Sequence, residues 1–232
     1  MKRTSCVYFL LALVFLTGCS TTKQDQTLLA TDATYALTEV VKLASQSIDV
    51  NLYANTPLTT LLPPQTAHFL QMQEIPLFQD HLSTWSNQVL GAFRQVVVLL
   101  PSLVETSVSS VVWQDSEALL KEGNRSATTR LVTEQGTLLA QEVKTMLQDA
   151  LANSSITWDL ILDRYNIWQK GTALWGREAL PTVIADPFEH LYSYFATTYL
   201  AHLGLEEERL RTTPVPKGSG SFLEIFQQDG QQ

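Results

Sequence analysis

The sequence is almost free of cysteine. Its two cysteines, Cys6 and Cys19, both lie within the first 19 of 232 residues. A disulfide framework, which supports many small secreted domains, is therefore excluded for the chain after Cys19. Stability must come from packing of apolar side chains, and the chain is long enough to bury a substantial core.

The sequence also lacks the recognised motifs of catalysis and cofactor binding. No Gly-x-Ser-x-Gly, no His-Glu-x-x-His and no glycine-rich phosphate loop occurs. The four histidines are never three or four residues apart, so no two of them can share one helix face as metal ligands. Asp159 and Asp163 share a face, but Arg164 is equally close to them. We therefore expect no metal, no cofactor and no enzymatic activity. The alternative is a hydrolase with an unrecognised carboxylate-based site.

Positive charge is scarce. The chain has 15 Lys and Arg against 23 Asp and Glu, which gives a formal net charge of −8. An acidic surface argues against binding to nucleic acid and to anionic phospholipid head groups. The densest acidic run is Glu206-Glu207-Glu208. Consecutive helical residues point in three directions, so this run predicts a solvated acidic face rather than a cation site.

The apolar run at the start of the chain is too short to cross a bilayer. Lys2 and Arg3 precede about ten apolar residues, Cys6–Phe15, a pattern typical of a secretory signal peptide. The segment then ends in Leu16-Thr17-Gly18-Cys19, which resembles a bacterial lipobox. The resemblance implies that residues 1–18 are a signal peptide and that Cys19 becomes the lipidated N-terminus.

A lipobox implies a bacterial envelope lipoprotein whose membrane partner is bound through acyl chains on Cys19. Each buried methylene contributes about 0.8 kcal/mol, so several chains make a lasting anchor. The next residue is Ser20 rather than aspartate. In this class of proteins that residue implies the outer membrane, facing the periplasm. Polar residues over 19–27 predict a tether, and loss of Lys2 and Arg3 brings the net charge to −10.

The hydrophobic period is helical along nearly the whole remaining chain. Apolar residues recur at intervals of three and four, which predicts a first helix ending near Ile48 and a long one running from Leu77 across Pro101. Val96–Leu100 has β-branched residues that favour a strand, but its neighbours keep the helical spacing. We therefore predict an all-α fold, a single multi-helix domain over residues 28–228.

Local signals mark several helix boundaries. Asp115 can cap a short helix that ends at Gly123, and Ser126 can cap the next long helix, up to about Leu151. Asp186-Pro187 begins the last long helix, with proline at its first position.

Two aromatic stripes are the remaining candidates for a binding site. The first comprises Trp158, Ile161, Leu162, Tyr165, Trp168 and Trp175, and the second Phe188, Leu191, Tyr192, Phe195, Tyr199 and Leu203. Helices joined by a loop favour antiparallel packing, so we expect the stripes to face each other. A cavity between them would indicate a carrier of a hydrophobic ligand such as a lipid. A dry core with an exposed apolar patch would indicate a scaffold for a protein partner. The sequence leaves both open.

A set of residues from about 57 to 226 matches a family pattern. The matching residues are Asp115, Leu120, Gly123, Ala127-Thr128, Tyr165-Asn166, Glu206-Glu207, Leu210-Arg211, Pro214, Gly218-Ser219 and Ile225-Phe226. Through them the chain resembles a bacterial family of exported helical proteins known as domain of unknown function 4197. It departs from the family at Arg130-Leu131 and Thr197-Thr198. The resemblance implies an all-helical fold and supplies no activity.

The matched residues have two interpretations. As joints, Gly123 allows positive φ at a helix end, Thr128 serves a first helical turn, and Arg211 binds helix-terminal carbonyls or pairs with Glu207. Alternatively one polar site is lined by Asp115, Thr128, Tyr165, Asn166 and Arg211. The candidate ligand-binding residues, taken from this cluster and from the first stripe, are Trp158, Tyr165, Asn166, Trp168 and Arg211.

The lipobox makes a direct prediction about attachment. Replacing the acceptor thiol in Cys19→Ala should abolish lipidation, because thioether formation needs that sulfur. Metabolic labelling with a palmitate analogue should mark the wild type and leave the variant unlabelled. Label that persists on Cys19→Ala would contradict the assignment.

Overall fold

The described residues of the computed structural model, 21–174 and 182–227, form helices joined by turns and loops, with no strand among them. The predicted all-α fold is therefore confirmed. The α-helices are α1 (Thr21–Ser47), α2 (Leu58–Leu61), α3 (Phe78–Val108), α4 (Ser116–Glu122), α5 (Ser126–Ala150), α6 (Ala152–Leu174) and α7 (Phe188–Thr212). Two 3₁₀ helices span Pro64–Gln71 and Phe222–Gln227. Cys19 and Trp175 lie outside the described residues.

The central helix is α3, against which α1, α5 and α6 pack. Val96–Leu100 belongs to this helix and Pro101 lies inside it, so the helical interpretation of this segment is correct. Among the described residues α3 is the helix that has the length and hydropathy of a membrane span. Its position explains that composition, because its buried apolar residues face neighbouring helices.

Helix α7 packs on α1 and α5, and buried tyrosines join it to the N-terminal part of the chain. Tyr199 of α7 and Ser45 of α1 share a hydrogen bond of 2.8 Å. The Tyr53 hydroxyl donates to the Phe195 carbonyl at 2.6 Å, and the two rings stack 4.9 Å apart. Burial raises the pKa of Tyr199 to about 12, so its hydroxyl stays protonated at neutral pH.

Several predicted boundaries change. Helix α1 begins at Thr21, inside the segment predicted as a tether; residues 21–27 contain no glycine or proline to stop the helix. Asp115 does precede α4, but it lies at φ 54° and makes no side-chain cap. The Ser126 hydroxyl donates to the Leu119 carbonyl at 2.5 Å instead of capping α5. Asp186 accepts a hydrogen bond from the Phe188 amide at 2.9 Å, so it supports the start of α7 as expected. Pro187 is the N-cap of α7 and not, as predicted, its first residue.

The two aromatic stripes do not face each other. The stripe on α6 packs against α3, whereas that on α7 faces α1 and α5. Trp158 accordingly meets Trp85, and Phe195 meets Tyr53 and Phe93. The expectation failed because α3 supplies the common core, and a loop between two helices does not require them to be neighbours.

The buried hydroxyl pair between α1 and α7 can be tested by a double-mutant cycle. Tyr199→Phe should lower the free energy of unfolding by about 1–3 kcal/mol, because it leaves the Ser45 hydroxyl buried without a partner. Tyr199→Phe combined with Ser45→Ala should lose less than the sum of the single changes. Urea unfolding of the four proteins measures this, and strict additivity would contradict the coupling.

Candidate functional site

The first predicted ligand-binding residues lie in a packed aromatic core. Trp158 and Tyr165 of α6 are both buried. The Trp158 ring lies 4.7 Å from that of Trp85 on α3, and the Tyr165 ring lies 4.9 Å from that of Phe69. These distances are ordinary for aromatic pairs in protein interiors. This face of α6 therefore serves to hold the helix on α3.

Trp158 and Asn166 also bind a segment of the chain's own backbone. The Trp158 indole donates to the Ala185 carbonyl at 2.7 Å. The Asn166 amide donates to the Val183 carbonyl at 3.3 Å and accepts from the Val183 amide at 3.4 Å. The polar groups predicted to meet a ligand thus fix residues 183–185 against α6. Trp168 is partly buried and packs on the same core.

Arg211, the last of the predicted ligand-binding residues, lies in a different cluster. Its guanidinium pairs with Glu207 at 2.6 Å and donates to the Gly123 carbonyl at 3.0 Å and the Ser126 hydroxyl at 3.1 Å. The Phe226 ring covers it at 4.5 Å from the ring centroid. The single polar site proposed for Arg211 with Tyr165 and Asn166 is therefore wrong, because their contacts belong to separate interfaces.

Glu207 caps the N-terminus of α5. Its two carboxylate oxygens accept from the Ala127 amide at 3.1 Å and the Thr128 amide at 2.7 Å. The residue is 0% exposed, so the predicted solvated face is wrong for this member of the acidic run. A helix N-terminus favours a negative charge, and Arg211 at i+4 supplies the balancing cation. Burial lowers the pKa of Arg211, and the neighbouring carboxylate opposes that shift.

The joint interpretation of the matched residues agrees with this geometry. Gly123 ends α4 at φ 155° and ψ 165°, a region that essentially only glycine adopts. Arg211 makes both contacts expected of it, with a helix-terminal carbonyl and with Glu207. The i+4 spacing of Glu207 and Arg211 is the signal that was available in the sequence. This spacing predicted the pair but not its burial, because Glu207 stands between two other glutamates.

A small apolar cavity lies between α3, α5 and α7. Its volume is about 100 Å³, and its walls include Leu131, Leu139 and Phe195. Sites for small-molecule ligands usually have about 300–1,000 Å³. None of the residues of the α6 stripe lines it. A cavity between the two aromatic stripes, one of the two alternatives that the sequence left open, is therefore not found in the described part of the chain.

A larger concavity of about 570 Å³ is open and is lined mostly by charged and polar residues. It lies beside the α4–α5 junction, and its walls include Glu122, Arg130 and Glu208. The Glu208 carboxylate is paired with Arg125 at 2.6 Å. No group of three metal-ligating side chains occurs within the described residues. This surface is one of several described concavities that contain carboxylates, and the hydrolase considered as an alternative stays a prediction.

The outer face of α6 is a feature that the sequence analysis missed. Ile156, Ile167 and Leu174 are 71%, 71% and 89% exposed, and Leu160 between them is 40% exposed. Their spacing of 4, 7 and 7 residues puts them on one face of the helix. Helix α6 is therefore apolar on two sides, of which α3 covers only one. The stronger aromatic periodicity of the inner face concealed this stripe.

No family model, no curated protein and no solved structure matches the chain. The resemblance described from the sequence therefore stays a prediction.

The cap on α5 predicts that two adjacent glutamates contribute very differently to the free energy of unfolding. Glu207→Gln should lower the free energy of unfolding by about 3–5 kcal/mol, because it leaves the Arg211 charge buried without its counter-ion. Glu208→Gln is the matched control; its pair with Arg125 is solvent-exposed and should contribute about 1 kcal/mol or less. Chemical denaturation measures both, and equal losses would contradict the capping role.

Proposed function

We propose that the protein is a membrane-anchored envelope lipoprotein of non-enzymatic type that acts as a scaffold for protein contacts. In this proposal lipidated Cys19 holds the chain at the outer membrane, facing the periplasm. The observation that carries the scaffold role is the exposed apolar face of α6, together with the small volume, about 100 Å³, of the apolar cavity in the described core. Exposed apolar patches on a folded protein mark interaction surfaces.

The N-terminal part of α1 can act as a spacer between the proposed membrane anchor and the packed domain. The described part of α1 extends from Thr21, and its first buried side chain among those described is Ala33. Twelve residues of α-helix span about 18 Å, so this stretch can hold the packed domain away from the bilayer surface. The acidic charge of the chain also disfavours adsorption of the domain to anionic phospholipids.

A carrier of a hydrophobic ligand is the second candidate, favoured by the apolar walls of the cavity between α3, α5 and α7. To admit an acyl chain, this space would have to grow several-fold, by separation of helices that now pack together. The scaffold requires no such change, because its surface is already exposed. We therefore place the scaffold first.

The two candidates differ in their response to lipid. A soluble form starting at Ser20 should purify without bound lipid in native mass spectrometry. Its melting temperature should not change on addition of palmitate or phosphatidylglycerol, because the cavity of about 100 Å³ is too small for either. A lipid-dependent rise in melting temperature would contradict the scaffold and establish the carrier. Ala196→Leu, which narrows the cavity, should remove such a rise if the lipid enters there.

A further inference from the structure

The exposed stripe on α6 has the spacing of a coiled-coil seam. When the two charged residues of the stripe are included, its six outward residues are separated by 4, 3, 4, 3 and 4 positions. All six are exposed. They are Ile156, Leu160, Asp163, Ile167, Lys170 and Leu174. This alternation gives the average period of 3.5 that allows two helices to remain in contact along their length. Four of the six positions are apolar, so the seam can be buried against a second helix.

The two charged positions decide how a second copy of the helix could pair with this seam. In a parallel pair, Asp163 would lie opposite Asp163 of the other copy, and Lys170 opposite Lys170. In an antiparallel pair with the two-fold axis between Asp163 and Ile167, each layer contains different residues. Ile156 then faces Leu174 of the second copy, Leu160 faces Lys170, and Asp163 faces Ile167. Like charges oppose each other only in the parallel arrangement.

The antiparallel arrangement also gives each charge a partner. Lys170 of one copy packs its methylene stem on Leu160 of the other, and its ammonium extends towards Asp163 and Asp159. Asp163 and Lys170 have no salt bridge within the described part of the chain. The seam is therefore complementary to itself in charge and in apolar pattern, which is the requirement of a two-fold symmetric interface.

We propose that α6 pairs with α6 of a second copy of this chain as an antiparallel two-stranded coiled coil. The proposal rests on the scaffold function and identifies its first partner. The paired helix is 23 residues long, and Ile184, 90% exposed, adds apolar surface beside Asp159 and Leu162. One helix pair buries less than a standard interface, so we expect a dissociation constant on the order of micromolar in solution.

The two charged residues within the stripe, Asp163 and Lys170, favour a second copy of the chain over a lipid surface as the binding partner. Asp163 and Lys170 lie among the apolar residues rather than at their margins, so immersion of this face in acyl chains would bury both charges. In the two-fold pair Lys170 of one copy lies within one helical turn of Asp163 of the other, so the two charges neutralise each other. An amphipathic membrane helix has its charges on the opposite face, often as Lys and Arg.

Sedimentation velocity on the soluble form starting at Ser20 tests the pairing, from about 1 to about 300 μM protein. The wild type should change from monomer to dimer with increasing concentration. Ile167→Asp should weaken dimerisation at least about 30-fold, because it puts a second carboxylate into the seam. Leu138→Asp on α5 is the matched control; Leu138 is 61% exposed but lies outside the seam, so dimerisation should not change. Circular dichroism verifies that each variant is folded.

Charge reversal and cross-linking test the pairing and its orientation. Asp163→Lys and Lys170→Asp should each weaken the dimer, and the double exchange should restore it, which tests the charge complementarity of the seam; the cross-linking decides the orientation. The form starting at Ser20 has no cysteine, so introduced cysteines report cleanly. Ile156→Cys with Leu174→Cys should cross-link two copies under oxidation, whereas Ile156→Cys alone should not. Cross-linking of the single-cysteine variant would overturn the antiparallel arrangement.

The two proposals fail on different measurements. A wild type that stays monomeric at about 300 μM, or a dimer that Ile167→Asp does not weaken, overturns the pairing through α6. The scaffold proposal fails instead on lipid-dependent stabilisation of the same protein.

Discussion

The buried pair of Glu207 and Arg211 is the interaction on which the arrangement of the C-terminal half depends. Both residues lie on α7, yet their contacts reach three other elements. Glu207 satisfies amides at the start of α5, and Arg211 satisfies the Gly123 carbonyl at the end of α4 and lies under Phe226. Each charge is buried together with its counter-ion and hydrogen-bond partners, which is the condition for tolerating charges in a protein interior. The Glu207–Arg211 pair therefore joins the end of α4 and the start of α5 to α7.

Because α7 packs on α1 and α5, the remaining side of α3 is left for α6. The aromatic residues of α6 fill that side through Trp85 and the 3₁₀ helix containing Phe69. Trp158 and Asn166 then hold the segment 183–185 over the edge of the helix. These contacts use the inner face of α6 completely. The outer apolar face has no neighbour in the described chain, which is why we assign it to an interface.

Periodicity predicted the helices well, because each helix is defined by contacts a few residues apart. The end of α1 close to Ile48 and the helical state of Val96–Leu100 follow from local spacing. Capping was predicted poorly. Ser126 is a good local candidate, yet Glu207, about 80 residues away, supplies the cap of α5. The burial of Glu207 could not be predicted, because nothing local distinguishes it from Glu206 and Glu208, which are partly exposed. The stripes on α6 and α7 were predicted correctly as buried helix faces. The helix that each stripe contacts was not, because it depends on the position of α3.

Anchoring and pairing through α6 would reinforce each other. In the proposed lipoprotein, two chains held in one bilayer through Cys19 would meet at a much higher local concentration than free chains, so an interface that is weak in solution would become occupied at the membrane. A two-fold axis normal to the bilayer is the orientation that places both anchors at the same height, and an antiparallel α6 pair has its axis perpendicular to the helices. In that orientation α6 lies parallel to the membrane plane, and both lipidated ends can insert together. A dimer then carries twice the acyl chains of a monomer, and its attachment is correspondingly harder to reverse.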